Sequence, residues 1–221
     1  MGTGCAIIHV NQRMPHQVSF GSAVKAGLAQ HGVESLLTNS PSTPGDWHVC
    51  IGPHYALRHW RTSPCLYLDR AYWGDPSCVS VHWLKGGEKH FTSGHSGRDH
   101  PELQPLKRGK RTIYLCDYGE RAEGDYDTVR LHPAEAFPGE TLPEALERHD
   151  RAIGGRTTAL VDAAIAGLRV KTKSPHSPVY GLTQGLSRKQ WIQDLAFHNW
   201  SKREIQSGDL FDAIGTDYSA D

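Results

Sequence analysis

Apolar residues fall in short blocks separated by turn residues, and most blocks have the length of a strand rather than of a helix. The first, Cys5-Ala6-Ile7-Ile8-His9-Val10, reads as a buried parallel strand, and a loop with Asn11, Gln12, Arg13 and Pro15 follows it. Residues 18–31 carry a helical period stopped by Gly32, residues 33–37 and 47–51 read as strands, and the stretch 39–45, rich in Pro, Ser and Thr, reads as a loop. After the break at Gly52-Pro53, a short helix over 55–60 leads to a strand over 65–68 that ends at Asp69, and a further strand covers 78–84. Strands alternating with helices through short connections predict a parallel sheet covered on both faces.

The same grammar restarts beyond residue 110. Strands are expected over 111–116 and 127–131, and a helix over 142–149 has Pro143 in its first turn. Gly154 to Val170 then reads as strand end, glycine turn, helix, glycine stop and strand. Paired Gly154 and Gly155 admit a turn with positive φ, and Thr157 or Thr158 caps a helix whose apolar face holds Leu160, Ala163, Ala164 and Ile165. Gly167 stops that helix before a strand over 168–172. Such a turn aims N–H groups and a positive dipole end at one spot, a setting that suits a phosphate. A loop over 173–187 precedes a helix over 188–200 with an apolar face at Trp191, Ile192, Leu195 and Ala196 that extends to Trp200, and Ser201 with Glu204 makes a capping box for a last short helix.

Composition narrows the function. The 221 residues suffice for one large domain or two small ones, and 24 Lys+Arg balance 24 Asp+Glu, so no global field draws the chain to nucleic acid. A basic excess is local: residues 85–111 hold Lys85, Lys89, Arg98, Lys107, Arg108, Lys110 and Arg111 against Glu88, Asp99 and Glu102, in a long connection read as a loop or linker. No apolar run reaches the length of a membrane span, and no signal peptide precedes the first strand, so a cytoplasmic protein is expected. The five cysteines, Cys5, Cys50, Cys65, Cys78 and Cys116, lie in or beside apolar runs without CxxC spacing and read as buried reduced thiols. Among 14 histidines no HExxH occurs, and His90, His95 and His100 recur at a spacing of five that matches no ligand set, so no metal is expected. A GxxxxGK[ST] phosphate loop is also missing.

The glycine turn with Thr157, Thr158 and Asp162 resembles the donor-site motif of GT-B glycosyltransferases, with Asp in place of the commoner Glu. The closing segment, Arg188, Trp191, Leu195-Ala196, Trp200, Glu204-Ile205 and Gly208, and the element Asp69-Arg70-Ala71-Tyr72-Trp73-Gly74 resemble small phage-encoded glycosyltransferase-like proteins. The resemblance implies an α/β fold of two small Rossmann-like halves in a compact GT-B-like arrangement with closing C-terminal helices. The acceptor half and basic linker then occupy 1–105, the donor-binding half 106–186 and the closing helices 187–221. It further implies a nucleotide-sugar donor, a hydroxylated base in phage DNA as acceptor, duplex DNA held through residues 85–111, and a host cytoplasm as location.

Inverting transfer needs a base for the acceptor hydroxyl and groups that hold the departing diphosphate, with no metal required. Asp69 is the candidate base because it ends a predicted parallel strand, with Asp75 and His82 next. On the donor side the candidates are Gly155, Arg156, Thr157, Thr158 and Asp162, joined by Asp117, Tyr118, Gly119 and His132 at the ends of neighbouring strands, and Lys171 and Lys173 beyond. Two other classes share these features: a nucleotide or nucleotide-sugar binder without turnover, and an α/β hydrolase of phosphorylated small molecules.

Overall fold

The computed structural model describes residues 4–52, 56–60, 62–73, 77–92, 94, 97–136 and 139–215. Tyr55 at the expected helix start, Gly74, the alternative base Asp75, and His95 lie outside the described residues. The chain divides into two compact units, Met1–Phe91 with His198–Asp221, and Thr92–Phe197. Residues 92–105, read from the sequence as the end of the first half, group with the second unit. The closing segment splits, because everything from His198 onward returns to the first.

The first unit begins with β1 (Ala6–His9), α1 (Pro15–Gln30), β2 (Ser35–Thr38), β3 (Trp47–Ile51) and the single turn α2 (Leu57–Trp60). Then come β4 (Cys65–Arg70), β5 (Cys78–Lys85) and the two-residue β6 (Glu88–Lys89). Among the described residues they build, with a strand from the chain's end, a seven-stranded sheet in which β2, β1, β3 and β4 are parallel neighbours and β5 runs antiparallel to β4. The expected all-parallel sheet therefore holds for four strands only. A tight Gly86-Gly87 turn returns β6 onto β5, inside the stretch read as a structureless linker.

One sheet face is apolar. Ala6, Ile8, Val49, Leu66, Leu68 and Val81 meet Phe20, Val24 and Leu28 of α1 in one buried cluster. Each of these side chains larger than Ala6 contributes roughly 1.5–3 kcal/mol on burial. Pro15 starts α1 three residues earlier than the period suggested, at a position where its missing N–H leaves no bond unmade.

The second unit contains β7 (Thr112–Leu115), β8 (Thr128–Arg130), α3 (Leu142–Glu147), β9 (Arg151–Gly154), α4 (Ala159–Ile165), β10 (Arg169–Thr172), α5 (Tyr180–Thr183) and α6 (Arg188–Phe197). Its strands among the described residues form a four-stranded, wholly parallel sheet in the order β10-β9-β7-β8. Counted from its own first strand, each unit thus repeats one parallel order: second, first, third, fourth. Gly167, at φ +84, stops α4 as expected, and its bare Cα also admits Pro105 O, which an added Cβ would meet at 2.2 Å.

The expected helix over 188–200 ends at Phe197. Asn199–Ser201 is a strand, β11, paired antiparallel with β5. Trp200 accordingly joins the apolar cluster of the first unit, where it is 3% exposed. The capping box is present: Ser201 accepts from the Glu204 amide and Glu204 from the Ser201 amide at the start of α7 (Lys202–Ser207). Gly208 then turns the chain into α8 (Asp209–Ile214), and Ile205, Leu210 and Phe211 complete the first unit's core.

Candidate functional site

In the second unit the strand order reverses between β7 and β9, and their C-terminal ends flank the crevice where open α/β sheets take ligands. The loop after β7 carries Asp117, Tyr118, Gly119 and Glu120; the turn after β9 carries Gly155, Arg156 and Thr157. The structure brings these two groups together: a Cβ on Gly155 would lie 2.8 Å from Glu120 Oε1.

The paired glycines serve close approach rather than positive φ, because neither Gly154 nor Gly155 adopts it. Between paired strands, a Cβ on Gly154 would sit 2.5 Å from Leu115 O. Thr157 is buried and its Oγ1 accepts from the Ala159 amide at 3.3 Å, whereas Thr158 occupies the cap position without a side-chain bond. The capping is therefore done by Thr157. Thr172 at the end of β10 donates at 2.7 Å to Gly155 O, which fixes the turn from behind.

Carboxylates hold the β7 loop. Glu120 accepts from Tyr114 Oη at 2.7 Å and from the Asp117 amide at 2.8 Å, Asp117 accepts from the Tyr118 amide at 2.8 Å, and Glu135 accepts from the Gly119 amide at 3.0 Å. Burial, and then the bond to Glu120, push the Tyr114 phenol up, so it stays a donor. Arg121 pairs with Glu135 at 2.8 Å, and that hydrogen bond followed by the Gly119 amide holds the Glu135 carboxyl below its usual range. Charge on this edge is consequently divided: acids on the β7 side, with exposed Arg156 after β9, Lys171 within β10 and Lys173 after it.

Tyr118 projects into solvent, 71% exposed, with His132 edge-on at 5.8 Å. His132 Nδ1 accepts from the Ala134 amide, so this ring sits at the end of β8 as anticipated. Asp162 lies on the exposed side of α4, in its first turn.

The basic stretch is used differently from the expectation. Lys107 Nζ donates to Leu146 O, Glu147 O and His149 O, closing the C-terminal end of α3, and Arg98 Nε donates to Ala196 O near the end of α6. Lys89 belongs to the first unit and pairs with Asp69. Only part of the predicted set is thus available to an outside anion. His90 accepts a place in the first unit, while His100 is exposed in the second.

In the first unit, Asp69 stands inside β4 rather than past its end, because the strand continues to Arg70 through pairing with β5. Its Oδ2 receives Lys89 Nζ at 2.7 Å, and that ammonium lies 5.4 Å from the Tyr67 ring centroid and 6.0 Å from that of Tyr72. Burial, and secondly the Asp69 charge, push both phenols up.

Register places more polar groups on that same sheet face. His9, His48, Cys50, Cys65, Tyr67, Asp69, Ser80 and His82 follow one another at every second position across β1, β3, β4 and β5, opposite the apolar cluster. His82 Nδ1 donates to His90 O at 3.1 Å, so its Nε2 accepts from Tyr72 Oη at 2.9 Å. His198 stacks on His82 at 4.3 Å with Phe91 edge-on. His9 Nδ1 donates to Ser40 O, its Nε2 accepts from His48 Nδ1 at 3.1 Å, and Trp60 covers His48 at 4.0 Å. Burial and then the neighbouring His9 push His48 down to about 4; burial and then His198 push His82 well below 6.5. Both rings are neutral near neutral pH. Hydrogen bonding to Cys65, and then burial, push the Cys50 thiol up, and all five cysteines are free.

Sequence reasoning named Asp69 and His82 but missed the polar face as a unit, and it missed Glu120 and Glu135. The alternation of polar residues in runs read as doubly buried strands was the available signal for the face. No such signal marks Glu120, an acid in a loop of acids. Among the described residues no group of three or more His, Cys, Asp or Glu is arranged to hold a metal, and no helix is long and apolar enough to cross a membrane. Comparisons with protein-family models, with curated proteins and with solved structures give no match to this chain.

Proposed function

We propose that the chain is a nucleotide-sugar-dependent glycosyltransferase of GT-B type whose second unit takes the donor. The observation that carries this reading is the crevice at the strand-order reversal, where the β9 turn and the β7 loop approach within the reach of Glu120. A nucleotide-sugar presents a diphosphate and vicinal hydroxyls, and the divided charge of this edge suits both: Arg156, Lys171 and Lys173 with the Thr157 turn for the diphosphate, Glu120 and Asp117 for hydroxyls. Tyr118 and His132 offer ring faces to the base. The repeated parallel order in the two units, and the return of β11, α7 and α8 to the first, support the two-halved arrangement.

In this reading the acceptor is a hydroxyl on a modified DNA base, and Asp69 takes its proton with Lys89 orienting the carboxylate. One observation favours a second reading, a nucleotide-sugar binder without turnover: Asp69 is already engaged by Lys89. A panel of nucleotide-sugars separates the two. Thermal shift reports binding, and free-nucleotide release with duplex DNA containing hydroxymethylated bases reports transfer. Transfer predicts release that Asp69→Asn abolishes while the thermal shift persists. Binding without release selects the second reading, and no shift with any donor removes both.

A further inference from the structure

The edge of the second unit opposite the crevice, where its strands begin, carries a set of cations that the donor-site reading does not use. Residues 107–111 run across the starts of β10 and β9 before entering β7: the Lys107 amide donates to Gly167 O, Arg169 donates through Nη2 to Gly109 O, and Arg111 O accepts from the Asp150 and Arg151 amides. This path gathers Arg108, Lys110, Arg111, Arg151 and Arg169 at one end of the sheet. Arg108, Lys110, Arg111 and Arg169 are exposed and Arg151 is half-buried. None of the five forms an ion pair among the described residues.

Two of them stand in direct register, Arg169 opposite Arg151 on adjacent parallel strands. Like charges so placed repel and lower sheet stability, a burden that an external anion relieves. The acids nearby keep their charge but are fewer, Asp150, Asp127 and Asp125 against five cations. Asp150 accepts from the Arg111 amide and lies against Gly109, Asp127 accepts from the Thr112 amide at the β8 side, and Asp125 precedes it. Four of the five cations are arginines, whose planar fork matches phosphate oxygens two at a time. They stand on strand starts and a pinned segment, not on an amphipathic helix of the kind that lies in a lipid interface.

We propose that this edge is a docking surface for the phosphate backbone of duplex nucleic acid, separate from the crevice at the other end of the strands. The choice of DNA as the duplex rests on the transferase reading; the surface itself does not. Contacts made there position the polymer without reading its sequence.

Fluorescence anisotropy with a short duplex of arbitrary sequence, over a salt series, tests this. Four or five phosphate contacts give a log–log salt slope of about −3.5 to −4.5. Arg151→Ala with Arg169→Ala reduces its magnitude by about 2, and Arg108→Ala with Lys110→Ala, in the exposed segment, reduces it by a similar amount. Lys25→Ala with Arg203→Ala, exposed cations of the first unit, leaves it unchanged. Circular dichroism confirms that each variant is folded, and the second pair keeps the test decisive if the strand pair misfolds. Salt-independent binding, no binding, a slope indifferent to both pairs, or tighter binding to anionic vesicles than to DNA overturns the proposal. A nucleotide-sugar titration runs beside it: a failure there removes the transferase reading while a normal DNA slope keeps the docking surface.

Discussion

Gly154 has no room for a side chain, because a Cβ there would press on Leu115 O at 2.5 Å within a strand pair that cannot part. Gly154→Ala is expected to lower stability by about 1–3 kcal/mol, read by urea unfolding. At Gly155 the neighbour is the Glu120 carboxylate, a side chain that can swing aside, so Gly155→Ala loses less stability and perturbs the β7 loop instead. The need for small residues was legible in the sequence, but its reason was not: close approach depends on a partner strand that is distant in the chain. His48 belongs to the same scale. With its folded value near 4 and an ordinary value of 6.5, the unfolded chain binds the extra proton between those limits. Stability contributed by neutral His48 is therefore full above about pH 6.5 and is lost as pH falls toward 4. Chemical denaturation at stepped pH should show stability declining through that window, and His48→Gln should flatten the decline.

At the scale of elements, most strands and the Ser201–Glu204 capping box were readable because their signals are local, whereas the second box, Thr141 with Glu144 at the start of α3, went unread although it closes its first turn in the same way. Ser201→Ala is expected to lower the melting temperature in line with a loss of about 1 kcal/mol. Lys107 teaches the opposite lesson. From sequence it counted as one more cation in a basic loop, yet its ammonium is consumed by three carbonyls at the end of α3. Lys107→Met should therefore reduce thermal stability by about 1 kcal/mol or more, with little effect on the salt slope of DNA binding. The missed strand β11 has a similar cause. Trp200 continues the apolar phase of α6, and only pairing with β5, more than a hundred residues earlier, pulls it into an extended form.

For the whole molecule, the chain leaves the first unit after Phe91 and re-enters it at His198, and in the first unit those two rings meet at 5.6 Å. The second unit is thus an insertion between neighbouring points of the first. Residues 92–197 expressed alone should unfold cooperatively. Residues 1–91 alone should not, because their apolar cluster lacks Trp200, Ile205, Leu210 and Phe211. Joining 1–91 to 198–215 through a short flexible linker should restore a folded first unit, with circular dichroism and thermal melts as the readout. The expectation of two halves anticipated the repeated strand grammar but put the boundaries in sequence order, since periodicity carries no record of which core a late helix completes.

That placement also sets the order of events on the ribosome. The inserted unit has all of its residues once Phe197 has been made, whereas the first sheet, begun before it, waits with its apolar face only partly covered, by α1, until Trp200, Ile205, Leu210 and Phe211 emerge. Of the two units, the one begun first is therefore the one completed last, and during that interval it is the natural client of a chaperone.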